Sequence, residues 1–313
     1  MNVIIIILIS ILSICLALFV GLTIWAMRIV IDIFFKINIS TSREESPDCT
    51  GEKIQFMSRD GIPIAGYFIY GKENKGETII FCHEVGAGWG SWYKYASFLP
   101  CAGYNILAFD FRGHGESGNK NGYSPNQWVT NFELYDILGA IDYLKTRPDV
   151  NINKIGLIGI SRGSGIGICA AKKTGLIKAI VADSCFATEE TLNDYITKWV
   201  SIFLPIKRIP LSLNRFLTKI SLVCAQIILK ERLPSIEKSL RKMNSVPIFF
   251  IHGEKDNYIS AKQAKRLYEM AGSEKFLWIT PKARHNESVL VEPSEYRQKV
   301  TNFFKKYMSN AII

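Results

Sequence analysis

The sequence is poor in the residues that metal and redox chemistry most often use. Only four histidines occur among 313 residues, and no C-x-x-C pair is present to begin a structural zinc site. Seven cysteines, an odd number, do not make a disulfide framework, and Cys82, Cys169 and Cys185 lie in apolar runs that read as buried strand or helix, which suits a reducing compartment. Positive charge is not concentrated: the net +10 is spread along the chain with no long basic block. That spread fits a solvated surface or attraction to anionic lipid headgroups, and with no motif behind it a nucleic-acid partner is not expected. No internal repeat or low-complexity tract is present, which argues against solenoids and collagen-like arrays.

Charge is missing altogether from residues 3–27, VIIIILISILSICLALFVGLTIWAM. At about 1.5 Å per residue a helix of this length exceeds the roughly 30 Å hydrocarbon core of a bilayer. It reads as a single membrane span. A cleaved signal peptide would carry a basic n-region, a shorter apolar stretch and a small-residue cleavage site, of which only the apolar stretch is here. Arg28, Lys36 and Arg43 all follow the span, which favours leaving the C-terminal side in the cytoplasm. The expected organisation is an anchor and flank at 1–38, a polar linker at 39–50 and a folded domain at 51–313.

Within that domain, short β-branched and aromatic runs predict strands at 53–57, 65–70, 78–82, 106–109, 155–160, 179–182, 248–252 and 276–279. Amphipathic stretches predict helices at 127–146, 162–173, 261–270 and 295–308. A hairpin followed by alternating strand and helix implies an α/β, mostly parallel, doubly wound sheet covered on both faces. Residues 186–245 break the rhythm: they show no strand pattern, are punctuated by Pro205, Pro210 and Pro234, and hold ten Lys or Arg against five Asp or Glu. They read as a helical cap inserted over one end of the sheet, or as an ordinary helical excursion with a basic face.

The string GISRG, residues 159–163, stands between a buried apolar strand and a helix of small residues. That is the strand, sharp turn, helix context of a G-x-S-x-G nucleophile elbow, in which the glycines permit a strained turn that lifts the serine hydroxyl clear of the sheet. A second chemistry uses a similar string. Gly159, Gly163 and Gly165 fit a dinucleotide-binding loop, Asp183 lies where a ribose-binding acid would sit, and Tyr258 and Lys262 form a Y-x-x-x-K. Such a loop normally follows the first strand of its domain, whereas here about a hundred residues of α/β pattern precede it, and Tyr258 falls just after a predicted strand rather than within a long helix.

A serine hydroxyl needs a histidine to take its proton and a carboxylate to fix that histidine's tautomer. In open α/β sheets such groups gather at the carboxyl ends of strands. His285 follows the last predicted strand and Asp256 the one before it, so the chain order Ser161, Asp256, His285 is the order this elbow type requires. Asp183, also at a strand end, is the reserve acid. His252 is expected to pack or hydrogen-bond at the end of its strand, and His114, in DFRGHGESG, to shape a turn.

FCHEVGAG (81–88), AFDFRGHGESG (108–118), GISRG, HGEKD (252–256) and ARHN (283–286) together resemble the α/β-hydrolases, in particular the membrane-anchored abhydrolase-domain serine hydrolases. The resemblance covers nearly everything after residue 53. It implies an eight-stranded sheet with the cap inserted after the sixth strand, no metal or organic cofactor, and cleavage of an ester, thioester or related acyl bond through an acyl-serine intermediate. It also implies an oxyanion hole built from the backbone N–H of Arg162 and a second N–H, from Glu84 or Val85, in the FCHEVGAG loop. A metal role for Cys82, His83 and Glu84 is disfavoured because neighbouring side chains diverge. Glu84 stands where relatives commonly carry glycine, and its carboxylate is expected to turn away to a local N–H, Arg or Lys. The same fold also serves non-catalytic binding proteins, but all three triad positions are filled here.

Overall fold

The computed structural model describes residues 3–34, 51–73, 75–203, 211–228 and 230–308. The expected linker at 39–50, with Lys36 and Arg43, lies outside the described residues. In chain order the elements are α1 (Val3–Phe34), β1 (Glu52–Met57), β2 (Pro63–Ile69), β3 (Thr78–Cys82), α2 (Trp92–Ala96), β4 (Asn105–Phe109), α3 (Asn131–Thr146), β5 (Ile155–Ile160) and α4 (Arg162–Thr174). They continue as β6 (Ile177–Asp183), α5 (Thr188–Phe203), α6 (Leu211–Ile228), α7 (Ile236–Lys242), β7 (Ile248–Gly253), α8 (Ala261–Met270), β8 (Lys275–Thr280), α9 (Ser288–Val291) and α10 (Pro293–Met308).

The strands form one eight-stranded sheet in the order β1-β2-β4-β3-β5-β6-β7-β8. The β1–β2 and β2–β4 pairs are antiparallel, and every pair from β4–β3 to β7–β8 is parallel. The inner strands are apolar without alternation because both faces are covered, and successive side chains feed opposite layers. Ile80, Cys82, Leu107, Phe109 and Leu157 enter one core with helices α3, α4, α7 and α8, while Ile79, Phe81, Ile106, Ala108 and Ile158 enter the other with α2 and α10.

All eight strands fall where the sequence places them, to within two residues at each end. One helix starts later. The expected 127–146 helix begins at Asn131, because Asn126 Oδ1 accepts the Trp128 N–H in a side-chain turn and Thr130 then caps α3 with a full capping box. Thr130 takes the Phe132 N–H, and Glu133 takes the Thr130 N–H at 2.9 Å. The short helices α2, α7 and α9 have too few turns to show a period in sequence.

The described residues within 1–37 and 192–231 form one compact unit, and those within 38–191 and 232–313 form another. Among its described residues the segment expected as an insertion holds the helices α5, α6 and α7 and no strand. Its last helix, α7, packs within the sheet unit: a Cβ on Gly165 of α4 would meet Ile236 Cδ1 at 2.5 Å, and Ser239 Oγ lies 3.6 Å from Cys169 Sγ. In the first unit α1 carries a 23-residue apolar stretch, Val3–Trp25, with mean hydropathy 3.4, the length and composition of a membrane anchor or a signal sequence.

Candidate active site

The parallel strands point their carboxyl ends the same way, so the turns after β3, β5, β6, β7 and β8 collect at one edge of the sheet. Ser161 sits between β5 and α4 with φ 50 and ψ −114, a left-handed conformation costly for a residue with a Cβ. The turn is held from both sides: its N–H donates to Asp183 O at 2.8 Å, and Ser164 Oγ donates to Gly159 O and Asp183 O. Glycine is required at 163 because a Cβ there would lie 2.2 Å from Cys82 O and 2.6 Å from His83 O. The first turn of α4 is thereby pressed against the backbone that leaves β3.

The three expected groups meet. Ser161 Oγ lies 2.9 Å from His285 Nε2, and His285 Nδ1 lies 2.6 Å from Asp256 Oδ2. Asp256 is buried and saturated with donors: Oδ1 accepts the N–H groups of Tyr258 and Ile259, and Oδ2 also receives His252 Nε2 at 3.0 Å. Burial alone would raise its carboxyl, but the hydrogen bonds from His252 and His285 hold it well below the usual carboxylate range. It is a fixed anion. That anion sets the His285 tautomer, with Nδ1–H toward Asp256 and Nε2 left to accept the serine proton.

His252 hydrogen-bonds at the end of β7, one of the two roles expected for it. Its Nε2 also lies 2.9 Å from Ile259 O, so Nε2 carries the proton and bridges the carboxylate to the turn that holds it. The sequence signal for its bond to Asp256 is the i, i+4 spacing in HGEKD. Asp183 is not on the histidine: its Oδ1 accepts from Ser184 Oγ, and burial raises its carboxyl. Ser184 Oγ in turn accepts the Asn286 N–H, tying the end of β6 to the histidine loop. Tyr258 stands in the turn after β7, its ring 5.3 Å from that of His285, and Lys262 is on α8, so the Y-x-x-x-K does not lie on one long helix.

The FCHEVGAG loop leaves β3 beside β5, where Cys82 pairs with Gly159. His83 is fully buried and neutral: the Phe111 N–H donates to Nε2 at 3.0 Å, so Nδ1–H faces Glu84 O at 2.6 Å. Burial, then the nearby His114, hold its pKa well below the ordinary imidazole value. His83 is thus a strut between this loop and the turn after β4. Asp110 is a second strut, accepting the Trp89 and Glu116 N–H groups on its two oxygens. The Glu84 carboxylate accepts from the hydroxyls of Ser91 and Tyr95, each at 3.2 Å. Hydroxyl donors were not among the partners expected for it, because α2, which carries Tyr95, was not visible in sequence. Among the described residues no cluster of three or more His, Cys, Asp or Glu is placed to hold a metal ion.

Behind the elbow, the Arg162 side chain turns inward, 1% exposed, to Glu133 at 3.1 Å and Asn126 O at 2.7 Å. Glu133 also receives the Tyr123 hydroxyl, so one carboxylate both caps α3 and neutralises the residue after Ser161. In sequence only the Arg162 backbone N–H carries an expected role; nothing nearby marks its side chain for this pairing.

His114 gives the region a pH signature. Burial and then the Arg162 charge push its pKa down from 6.5 to about 4. The native state therefore excludes a proton that the unfolded state accepts, so this contribution is complete above pH 6.5 and is lost as pH falls toward 4, about 3 kcal/mol at that limit. Asp136, raised by burial to about 6 despite its Arg112 partner, slopes the opposite way, so the comparison must be between variants. His114→Asn is expected to lose stability less steeply than wild type between pH 6.5 and 4 in thermal melts. Parallel slopes would contradict the buried neutral imidazole.

The strand order, the strained serine at the β5–α4 turn and the groups collected after β7 and β8 are those of the α/β-hydrolase fold, and this chain has that fold. A family model described as alpha/beta hydrolase fold matches residues 77–226. The chain is similar to the uncharacterized protein YfhR of Salmonella typhi, 26% identical over 82% of this chain and 82% of that one. It is also similar to protein bem46 of Schizosaccharomyces pombe, 24% identical over 85% of this chain and 80% of that one. Among solved structures it matches the Pyrococcus furiosus esterase Pf2001 with a TM-score of 0.65, at 23% identity over 87% of this chain and 98% of the esterase.

Proposed function

We propose that the protein is a membrane-anchored serine hydrolase that cleaves an ester, thioester or related acyl bond. The observation that carries the reading is the continuous hydrogen-bonded path from the strained Ser161 through His285 to Asp256, at 2.9 and 2.6 Å. A fold shared with a solved esterase supports it. Ser161 Oγ attacks the acyl carbonyl while His285 Nε2 takes its proton, and the imidazolium is stabilised by Asp256. The same proton then goes to the leaving group, which departs and leaves an acyl-serine. Water, giving a proton to His285, attacks the acyl carbonyl; the bond to Ser161 Oγ then breaks, the acyl group leaves as the acid, and His285 returns its proton to Oγ.

The oxyanion is held by the Arg162 N–H, at the first position of α4, and by the N–H of Glu84 or Val85. Losing one such donor costs about 10²- to 10³-fold in rate. The rigid framing of that loop by His83 and Asp110 suits it to a role in which the donors must not move as charge develops. Residues 1–38 form the anchor and 39–50 the linker, with the hydrolase domain on the cytoplasmic side, as the cations after the span favour. The test is turnover of p-nitrophenyl esters of graded acyl length by the purified full chain. Wild type is expected to hydrolyse at least one of them with a pre-steady-state burst, and Ser161→Ala to show none. Equal rates in the two proteins, or no turnover at any length, would overturn the reading.

A further inference from the structure

Helix α6 presents its faces the wrong way round for a helix meeting water. At about 100° per residue, Phe216, Val223 and Ile227 fall within about 40° of one another, and all three are exposed, Phe216 by 49% and Ile227 by 69%. The opposite face carries the small residues Thr218, Ser221 and Ala225, and these are buried. Thr218 Oγ1 donates to Asn193 Oδ1 at 3.3 Å, which ties that small-residue face to α5. Large apolar residues outward and small ones inward mean that the outer face has its own partner.

The occupant follows from the neighbouring helix of the same unit. The apolar stretch of α1, Val3–Trp25, is unburied, while Ile31, six residues past its end, is only 5% exposed, and α1 and α6 are in contact. The first unit therefore packs on α1 just beyond the end of the apolar stretch, at the depth where a membrane helix leaves the hydrocarbon. Arg215 and Lys219 are exposed on one flank of the apolar stripe, and α6 contains no acidic residue. An exposed apolar stripe flanked by cations is the chemistry of a helix lying in an anionic bilayer surface.

We propose that α6 lies in the headgroup–acyl boundary of an anionic membrane, with Phe216, Val223 and Ile227 inserted and Arg215 and Lys219 among the phosphates. This rests on the reading of α1 as a retained anchor. The experiment reconstitutes the full chain in phosphatidylcholine–phosphatidylserine vesicles doped with a phospholipid bearing a diazirine on its acyl chain, and maps lipid adducts by mass spectrometry. Adducts are expected on both α1 and the Phe216–Ile228 stretch. Those on α6 should fall at least fivefold when phosphatidylserine is omitted, and likewise in the Phe216→Gln, Val223→Gln, Ile227→Gln triple variant, with α1 adducts unchanged. Adducts on α1 without adducts on wild-type α6 overturn this proposal alone, and adducts on neither overturn the anchor as well. Labelling of α6 that is indifferent to phosphatidylserine contradicts the anionic part.

Discussion

Asp256→Asn is expected to lower kcat/KM by about 10³- to 10⁴-fold in a protein that still folds. The geometry gives the reason. Asp256 Oδ1 faces two backbone N–H groups, from Tyr258 and Ile259, so in the variant the amide oxygen occupies that position. The amide nitrogen then faces His285 Nδ1 and His252 Nε2, where the carboxylate had accepted. His285 relieves the clash of donors by moving its proton to Nε2, and an Nε2–H cannot accept from Ser161. The loss falls mainly on kcat, because no substrate contact is changed. Steady-state kinetics check it, and a variant within tenfold of wild type would show that Asp256 does not set the tautomer.

Glu133→Ala is the largest expected loss of stability. Glu133 and Arg162 are each 1% exposed and paired at 3.1 Å, so the variant leaves a buried guanidinium without its carboxylate. Breaking such a pair from one side costs about 3–5 kcal/mol, and the lost capping box adds about 1 kcal/mol. For a domain of this size that lowers Tm by roughly 10 °C or more. Glu133→Gln, which keeps acceptor geometry without charge, is expected to fall between the two. Thermal melts that differ from wild type by less than about 2 °C would mean that Arg162 finds another partner.

The candidate site was legible where chemistry is written locally. The elbow is a contiguous string between a strand and a helix, and Asp256 and His285 each follow an apolar run, so strand ends together with the chain order of this elbow type predict that Ser161, Asp256 and His285 converge. What the sequence hid was contact between distant elements. Nothing near Glu133 says that its carboxylate will serve both the cap of α3 and Arg162, 29 residues away. The His83 strut depends on the Phe111 N–H across two loops, and the hydroxyl partners of Glu84 depend on a five-residue helix too short to show a period. His252 lies four residues from Asp256, but a strand-end histidine that bonds only the backbone and one that also bonds Asp256 look the same in sequence.

The central claim is that Ser161 is the nucleophile, and covalent labelling tests it without knowledge of the substrate. Full-length protein in detergent is treated with a fluorophosphonate probe, and the adduct is located by peptide mass spectrometry. The expected result is a single adduct on Ser161, abolished in Ser161→Ala and slowed at least a hundredfold in Asp256→Asn. An unlabelled wild type, or an alanine variant that labels at the wild-type rate, contradicts it.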